Sequence, residues 1–359
     1  MRILFCISSL SGGGAETQLY YLSTELSKRG HEVHVFYILS ESKIQRDWGL
    51  VKMHKCNVNS NYSPRIIFQL LKLLHKYNFD IVQSWVVQMD IIVGFLIRFF
   101  NFKWIVRESS SSKNYDYSIK NKLRIFFASK ASIIVSNSYQ GRLYWESYNI
   151  QTQLKVIFNG IPYEKIQEVI NSKPKFKQPF DEYILYVGRL VEDGTAKKNI
   201  SKLIIAFNEV LKKRENLKLL IVGEGKDKIK IESVVSRLKI ENHVVFLGFQ
   251  NSENVYKLMK NSLLFVSLSE YEGCPNTVLE ALYSCDRILL SRIEEHLAIF
   301  PEPGEYLFVN PNNIDEIANN IFSLINSDPT NDIFSKLVVN YRIDTMVNEY
   351  SRIYRQILL

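Results

Sequence analysis

The chain alternates short apolar runs with amphipathic helical runs, and this rhythm stops once and then restarts. The first apolar run, 3–7, leads into a Gly-rich turn and then into a helical pattern that ends at Gly30. Later runs such as 131–138 repeat the same alternation. Repeated strand–helix units form parallel sheets with helices on both faces. The pattern therefore predicts an α/β fold.

The rhythm lapses between 171 and 183, where two prolines interrupt it, so this stretch is predicted to be an interdomain linker. A chain of 359 residues is also well above the usual size of one domain. We expect a first Rossmann-like domain over 1–170 and a second over 184–344. In the last segment, 345–359, the apolar residues share one helical face, which indicates a helix docked on a core.

Charge is distributed unevenly along the chain. Residues 1–175 carry 23 Lys and Arg against 12 Asp and Glu, whereas the remainder carries 22 against 25. A basic half attracts nucleic acid, anionic lipid or phosphorylated ligands alike. No nucleic-acid-binding motif accompanies the basic residues, so a nucleic-acid partner is not expected.

The compartment is predicted to be cytoplasmic. The four cysteines show no C-x-x-C spacing, which is typical of a reduced compartment. The apolar run at the N-terminus is too short for a signal peptide, and the longest apolar runs fall far short of the roughly 20 residues of a membrane span.

The first two candidate sites are a glycine turn and a pair of cations. Gly13 and Gly14 stand between a strand and a helix, where backbone amides can approach a ligand, although the turn lacks a complete dinucleotide fingerprint and is equally typical of a tight structural connection. Arg189 follows a buried strand and Lys198 follows it in the next turn, an arrangement that suits a diphosphate clamp. The alternative is that both are solvated surface charges.

The third candidate, 269–282, is the most specific. A strand ends in a loop that carries Glu272, a helix then begins near Asn276 and Thr277, and Glu280 lies eight positions after Glu272. Amides at a helix N-terminus bind anions, and the carboxylates can accept hydrogen bonds from sugar hydroxyls. The alternative is a capping carboxylate and an ordinary residue on a surface helix.

The stretch SEYEGCPNTVLEAL resembles the E-x7-E signature of the large retaining family-four glycosyltransferases. VGRL with a downstream KN, VGEG, FLG, VSNS, FNGI and SGGGAE occur in that family's order, so the resemblance covers nearly the whole chain. It implies the GT-B architecture, in which two Rossmann-like domains face each other across a cleft. It also implies that the nucleotide donor is held mainly by the second domain and that the final helix packs back on the first.

The resemblance assigns roles to individual residues. Arg189 and Lys198 would bind the donor diphosphate, Glu272 the transferred sugar and Glu280 the ribose. The other expected donor-binding positions are the base pocket, the helix N-terminus and the glycine loop: Leu247, Gly248, Asn276, Thr277, Gly13 and Gly14.

The sequence departs from the family pattern in several places, two of which concern expected site residues. Arg107-Glu108 stands where many members have a histidine near the sugar. Either Glu108 takes over its hydrogen-bonding role, or the site suits an unusual donor. The spacer before Lys198 is longer than usual, which leaves Lys197 as an alternative diphosphate ligand. No D-x-D triplet occurs in the sequence, and therefore neither a metal ion nor another cofactor is expected.

These features predict a retaining, metal-independent hexosyl or N-acetylhexosaminyl transferase. We expect a nucleotide-diphosphate donor, most commonly UDP-linked in this family, and a lipid-linked or other saccharide acceptor in the synthesis of a surface polysaccharide. A basic, aromatic helix over 118–132 would place the protein on the inner, anionic membrane face; the alternative is a buried helix with one solvated face. A nucleotide-sugar-binding scaffold with weakened turnover and a GT-B-type epimerase or phosphorylase remain alternatives.

Overall fold

The computed structural model describes residues 1–10, 12–39, 46–58, 60–110, 118–172, 180–192, 197–300, 307–328 and 338–359. They form two compact units. The first unit comprises Met1–Gly160 together with Tyr341–Leu359, and the second comprises Ile161–Asn340. Part of the predicted linker, 173–179, and part of the spacer before Lys198, 193–196, lie outside the described residues.

The first unit is built on a seven-stranded parallel sheet in the order β3-β2-β1-β4-β5-β6-β7. Its strands are β1 Arg2–Ser9, β2 Glu32–Leu39, β3 Lys52–Lys55, β4 Ile81–Trp85, β5 Lys103–Glu108, β6 Ile133–Ser136 and β7 Leu154–Val156. Its helices are α1 Gly14–Lys28, α2 Arg65–Lys76, α3 Val87–Leu96, α4 Ile119–Ala128, α5 Tyr139–Glu146 and the C-terminal helix, with a 3₁₀ turn at Ile97–Phe99. A further 3₁₀ turn, Val338–Tyr341, includes the point at which the chain passes from the second unit back to the first.

The second unit is built on a six-stranded parallel sheet in the order β10-β9-β8-β11-β12-β13. Its strands are β8 Tyr183–Val187, β9 Lys218–Val222, β10 Val244–Gly248, β11 Leu264–Ser267, β12 Ile288–Ser291 and β13 Phe308–Val309. Its helices are α6 Tyr163–Asn171, α7 Ile200–Leu211, α8 Lys228–Leu238, α9 Ser252–Asn261, α10 Asn276–Ser284, α11 Glu294–Leu297 and α12 Ile314–Ile325.

The C-terminal helix, α13 Ile343–Leu358, lies on the core of the first unit. Its buried face includes Met346, Val347 and Tyr350. The Tyr354 hydroxyl donates a hydrogen bond of 2.7 Å to Gln83 Oε1 on β4. The apolar face that the sequence predicts for this helix is therefore the face that packs against the core of the first unit.

The boundary between the units differs from the expected one. The sequence placed 161–170 in the first domain, but α6 belongs to the second unit. The reason is packing: Ile166 and Val169 are buried, and the Tyr163 ring lies 5.2 Å from the ring of Tyr283 on α10. The lapse in periodicity after 171 marks the end of this helix rather than the point at which the chain changes unit.

Both sheets reverse their strand order beside their first strand, between β1 and β4 and between β8 and β11. Ligands of open α/β sheets bind at the carboxyl ends of the strands at such a reversal. In the second unit, Arg189 comes directly after β8, and the loop that carries Glu272 comes directly after β11. In the part of the chain that the structure describes, no helix is long and apolar enough to span a bilayer.

Candidate active site

The carboxyl end of β8 is held close to its neighbour β9 by glycine. Gly223 has φ of +133°, and a Cβ atom there would lie 1.9 Å from the carbonyl oxygen of Gly188. Only a residue without a side chain allows the two turns to approach this closely. The GRL turn after β8 and the VGEG turn after β9 therefore pack directly against each other. Arg189 is part of the first of these turns.

Arg189 is exposed. Its carbonyl oxygen accepts a hydrogen bond of 3.1 Å from the Tyr186 hydroxyl, which fixes the backbone at the end of β8. Among the described residues, the guanidinium of Arg189 has neither an ion-pair partner nor a hydrogen-bond partner. A fixed and unpaired cation at this edge of the sheet is available to an anionic ligand.

Lys198 lies against Glu272. Its ammonium donates to Glu272 Oε1, and the Ser269 hydroxyl donates to the same oxygen at 2.6 Å. Burial favours the neutral form of Glu272, but the charge of Lys198 and these two hydrogen bonds hold the pKa of this carboxyl below its usual value. Glu272 is therefore an ionised acceptor beside a cation.

The neighbouring lysine is placed differently. Lys197 pairs with Glu270 at 2.7 Å and its side chain is 36% exposed, whereas the side chain of Lys198 is 13% exposed. Lys198 therefore shares a half-buried position with Glu272, while Lys197 belongs to a more solvated ion pair. The geometry favours Lys198 over Lys197 as the cation that acts together with Glu272.

Glu280 lies in the second turn of α10 and is half-buried. Burial raises its pKa to about 8. Among the residues that the structure describes, no hydrogen-bond or ion-pair partner offsets this burial. A carboxyl group in this state would be stabilised in its ionised form by hydroxyl donors from a ligand.

The remaining predicted donor-binding positions of the second unit lie at strand and helix ends. Helix α10 begins at Asn276 and Thr277 after Pro275, whose side chain provides no cap. Gly248 ends β10 with φ of +64°, and its carbonyl oxygen accepts a 2.8 Å hydrogen bond from Gly223 N. The Leu247 carbonyl oxygen accepts from Gln250 Nε2 at 2.8 Å. The structure thus brings these positions to the carboxyl edge of the same sheet.

The glycine turn of the first unit opens α1. Gly13 is the residue before the helix, and Gly14 is its first residue. The residue with a left-handed φ is Gly12, at +104°, whereas Gly13 has an ordinary φ of −76°. A requirement for glycine in the backbone is therefore seen at Gly12, one residue before the predicted pair.

Glu108 is placed differently from the expectation. Its side chain is completely buried, with Oε2 2.9 Å from Arg124 Nη1 and Oε1 accepting a 2.8 Å hydrogen bond from Ser110 N. Arg124 also pairs with Asp90 at 2.7 Å. Glu108 thus belongs to a buried ionic network, and the expectation that it replaces a sugar-binding histidine is corrected. The cause is α4, whose Arg124 reaches inward to this carboxylate.

His296 was not singled out from the sequence. It is completely buried on α11 after β12, and the charges of Glu272 and Lys198 both act on its pKa. The sequence signal that could have identified it is weak: a single histidine shortly after a predicted strand. It lies 24 positions after Glu272 in the chain, so only the folded structure brings it close to that carboxylate.

Two family models together match most of the chain. Residues 12–165 match Glycosyltransferase Family 4, and residues 165–337 match Glycosyl transferases group 1. The junction of the two matches lies within a few residues of the boundary between the two structural units.

Individual relatives are also glycosyltransferases. An N-acetylgalactosamine-N,N'-diacetylbacillosaminyl-diphospho-undecaprenol 4-alpha-N-acetylgalactosaminyltransferase of Campylobacter jejuni is 28% identical over 90% of this chain and 89% of its own. An uncharacterized glycosyltransferase of Methanocaldococcus jannaschii is 32% identical over 44% of this chain and 39% of its own, so the chain spans less than half of that relative.

The fold is shared with solved structures. An Anabaena protein in complex with UDP-glucose matches with a TM-score of 0.77 at 16% identity, over 99% of this chain and 100% of that one. This likeness shows the GT-B architecture of two parallel-sheet α/β domains. With the two family models and the glycosyltransferase relatives, it leads to one conclusion: the chain belongs to the family-four type of GT-B glycosyltransferases.

Proposed function

We propose that the protein is a retaining, metal-independent glycosyltransferase that moves a hexosyl or N-acetylhexosaminyl group from a UDP-sugar to a saccharide acceptor. The observation that carries the proposal is the set of groups at the carboxyl edge of the second sheet. They include Arg189 and Glu280, which have no ion-pair or hydrogen-bond partner among the described residues, and the Lys198–Glu272 ion pair.

Each group matches one part of a nucleotide sugar. Arg189 and Lys198 supply positive charge for the diphosphate, and the N-terminus of α10 adds the partial charge of its amides. Glu280 accepts from the ribose hydroxyls, and Glu272 accepts from the transferred sugar. Leu247 and Gly248 line the base pocket through backbone groups. For Gly13 and Gly14 we retain the sequence-based proposal that their backbone groups bind the donor.

The chemistry follows from this binding mode. The bond between the anomeric carbon and the phosphate oxygen breaks, and a bond from that carbon to an acceptor oxygen forms on the same face. The acceptor's proton passes to the departing phosphate oxygen. Positive charge fixed in advance at the diphosphate stabilises the leaving group as its charge develops. Holding the acceptor and the donor together lowers the entropic part of the barrier.

The preference for UDP rests on likeness. The structure of the Anabaena protein contains UDP-glucose as its ligand. The acceptor is proposed on the same basis, because the Campylobacter relative is named for an undecaprenol-diphosphate-linked saccharide. We therefore propose a lipid-linked saccharide acceptor in the synthesis of a surface polysaccharide.

A surface of the first unit favours an acceptor at a membrane. On α4, Ile119, Leu123 and Phe126 are 77%, 42% and 55% exposed and lie on one helical face, opposite the buried Arg124. Phe95 on α3 and Phe99 in the 3₁₀ turn that follows α3 are also exposed. We name these five residues the apolar ridge.

The charge around the apolar ridge suits an anionic lipid surface. Arg98, Lys122 and Lys130 are exposed near it in the sequence. The first unit carries 23 Lys and Arg against 12 Asp and Glu, whereas the second carries 22 against 25. Exposed apolar side chains next to cations bind anionic bilayers through both burial and charge. We propose that the protein works in the cytoplasm, peripherally on the inner membrane face.

A turnover assay tests the proposed reaction. Purified protein is incubated with UDP-glucose, UDP-galactose and their 2-acetamido counterparts, with polyprenyl-diphosphate-linked saccharides as acceptors, in the presence and absence of EDTA. We expect one donor to release UDP in an acceptor-dependent and EDTA-insensitive reaction, with an α-linked product by NMR.

The other outcomes discriminate between the alternatives. A β-linked product would show inversion, and loss of turnover with EDTA would show dependence on a metal ion. Nucleotide-sugar binding without transfer or hydrolysis would favour a scaffold.

A further inference from the structure

A buried ring nitrogen near the proposed donor site has no hydrogen-bond partner in the part of the chain that the structure describes. Nε2 of His296 is shielded from solvent and makes no hydrogen bond to any described residue. The whole side chain is 0% exposed. Buried polar side-chain atoms are nearly always hydrogen-bonded, so a buried one without a partner needs an explanation.

The contacts of the other ring nitrogen decide which tautomer is present. Nδ1 of His296 lies 2.9 Å from the Ser291 carbonyl oxygen and 3.2 Å from the Ser291 hydroxyl. The hydroxyl proton is already donated to the Ser269 carbonyl oxygen at 2.5 Å. Since a carbonyl oxygen only accepts, Nδ1 carries the ring proton. Nε2 is then an acceptor.

The ring is also neutral. Burial lowers the pKa of His296 to about 4, although the charge of Glu272 acts in the opposite direction. Nε2 therefore keeps its lone pair at neutral pH, and it can bind only a group that donates a hydrogen bond.

A short chain of hydrogen bonds joins His296 to the predicted sugar-binding carboxylate. Ser291 bonds to the backbone of Ser269, and the Ser269 hydroxyl donates to Glu272. Both Glu272 and Lys198 are close enough for their charges to act on the ring. His296 thus lies at the proposed sugar end of the site, on the neighbouring strand's loop.

We propose that His296 is a specificity-determining residue whose Nε2 accepts a hydrogen bond from a hydroxyl of the transferred sugar. The inference rests on the proposed function, because it requires a nucleotide sugar in this site. The chemistry selects the sugar rather than the diphosphate, since the ionised diphosphate offers only acceptors, whereas sugar hydroxyls donate.

Two substitutions distinguish the contributions of the two ring nitrogens, Nδ1 and Nε2. In His296→Asn the amide retains a donor near Nδ1 but does not reach the position of Nε2. In His296→Gln the longer side chain places its amide oxygen near the Nε2 position. Titration calorimetry then measures the affinity for UDP alone and for the UDP-hexose that binds the wild-type protein most tightly.

We expect His296→Asn to bind UDP within about twofold of the wild type, because the nucleotide contacts are retained. Its added affinity for the sugar portion should fall roughly 5- to 10-fold, the effect of one hydrogen bond. His296→Gln should recover most of that loss. The inference is overturned if Asn retains the sugar affinity, or if Gln loses as much as Asn, because the ring would then only anchor the loop.

A measurement on the unaltered protein covers the case in which both variants fold poorly. The chain has six histidines, so ¹⁵N-histidine labelling allows the ring nitrogens to be followed by NMR. We expect an Nδ1–H tautomer for His296 and a shift of its Nε2 resonance with the UDP-hexose but not with UDP. A shift caused by UDP alone, or no shift with the saturating UDP-hexose, would refute the contact.

Deoxyfluoro analogues of the same UDP-hexose identify the hydroxyl. A fluorine at the contacting position cannot donate, so one analogue should bind the wild type more weakly and show no further loss with His296→Asn. Additive losses for every analogue would contradict the inference. Failure of wild-type protein to bind any nucleotide would instead refute the proposed function.

Discussion

Charged residues lie at the carboxyl edges of both sheets, but they are buried and paired in the first unit, whereas two of those in the second, Arg189 and Glu280, lack described partners. At the end of β5 in the first unit, Glu108 is buried and held by Arg124, which also pairs with Asp90. At the end of β8 in the second unit, Arg189 is exposed and unpaired among the described residues, and Glu280 on α10 has no partner there. The two units thus share a parallel-sheet topology but differ in their charged residues. In the first unit the charges form a closed ionic network, whereas in the second they can bind a ligand.

This difference separates charges that hold the fold from charges that serve a ligand. A buried ion pair with satisfied partners is a structural element, and it is costly to break. Burial of a carboxyl group without a partner costs free energy, and a ligand that donates a hydrogen bond to the group reduces this cost. We therefore expect substitutions in the first network to affect stability and substitutions in the second group to affect nucleotide binding or turnover.

The largest effect is expected for Arg124→Leu. Removal of the guanidinium leaves two buried carboxylates without their cation, which should lower the free energy of unfolding by about 3–5 kcal/mol. Urea denaturation measures this change. The control is Arg142→Leu, which breaks an exposed pair with Glu146 and should cost at most about 1 kcal/mol. Equal costs for the two variants would show that the buried network is not structural.

Arg189→Ala should instead leave stability unchanged, because the guanidinium makes no contact that the described structure records. Its effect should fall on turnover, with kcat reduced about 10²- to 10³-fold through loss of charge at the leaving diphosphate. Steady-state kinetics and a thermal melt of the same sample measure the two quantities. A variant with unchanged kcat would remove Arg189 from the proposed reaction.

Glu280 predicts a pH dependence of nucleotide affinity. Its raised pKa of about 8 keeps it mainly protonated at pH 7, whereas ribose hydroxyls that donate to it favour the ionised form. Binding should therefore release a proton. Affinity for UDP should rise as the pH increases from 6 to 8, by up to about tenfold per unit, and level off above 8.

The matched control is Glu280→Gln. It should retain only the pH dependence of the nucleotide itself. Calorimetry in two buffers with different ionisation enthalpies counts the protons released by each protein. Equal proton release by the wild type and by Glu280→Gln at pH 7 would contradict the role assigned to this carboxyl.

The smallest effect is expected for Phe126→Ser on the apolar ridge. Loss of one exposed aromatic ring should weaken co-sedimentation with anionic vesicles about 3- to 10-fold at low salt. Ile229→Ser is the control, because Ile229 is 82% exposed in the second unit. The same loss in both variants, or no binding of wild-type protein, would exclude the apolar ridge as the membrane-binding surface.

Local patterns predicted much of this architecture. The predicted run of 3–7 lies within β1, the predicted run of 131–138 contains β6, and the loop before Asn276 leads into α10 as expected. Such features depend on residues near one another in the chain, which is why strand and helix periodicity reveals them.

The features that the sequence did not predict depend on partners distant in the chain. Glu108 is buried because Arg124 reaches it from α4, 16 positions away. α6 joins the second unit because Tyr163 meets Tyr283. His296 lies near Glu272 because β11 and β12 are neighbours in the sheet. Periodicity carries no information on such pairings, and therefore these placements needed the structure.

The most direct test of the account is a UDP titration of a matched pair of carboxylate variants. Glu280→Ala removes a carboxyl group of the second unit that has no partner among the described residues, whereas Glu108→Gln alters the closed network of the first. The account predicts at least about tenfold weaker UDP binding for Glu280→Ala. For Glu108→Gln it predicts unchanged affinity with a lower melting temperature. The reverse pattern, or wild-type protein that does not bind UDP, would contradict the claim that the second unit holds the donor.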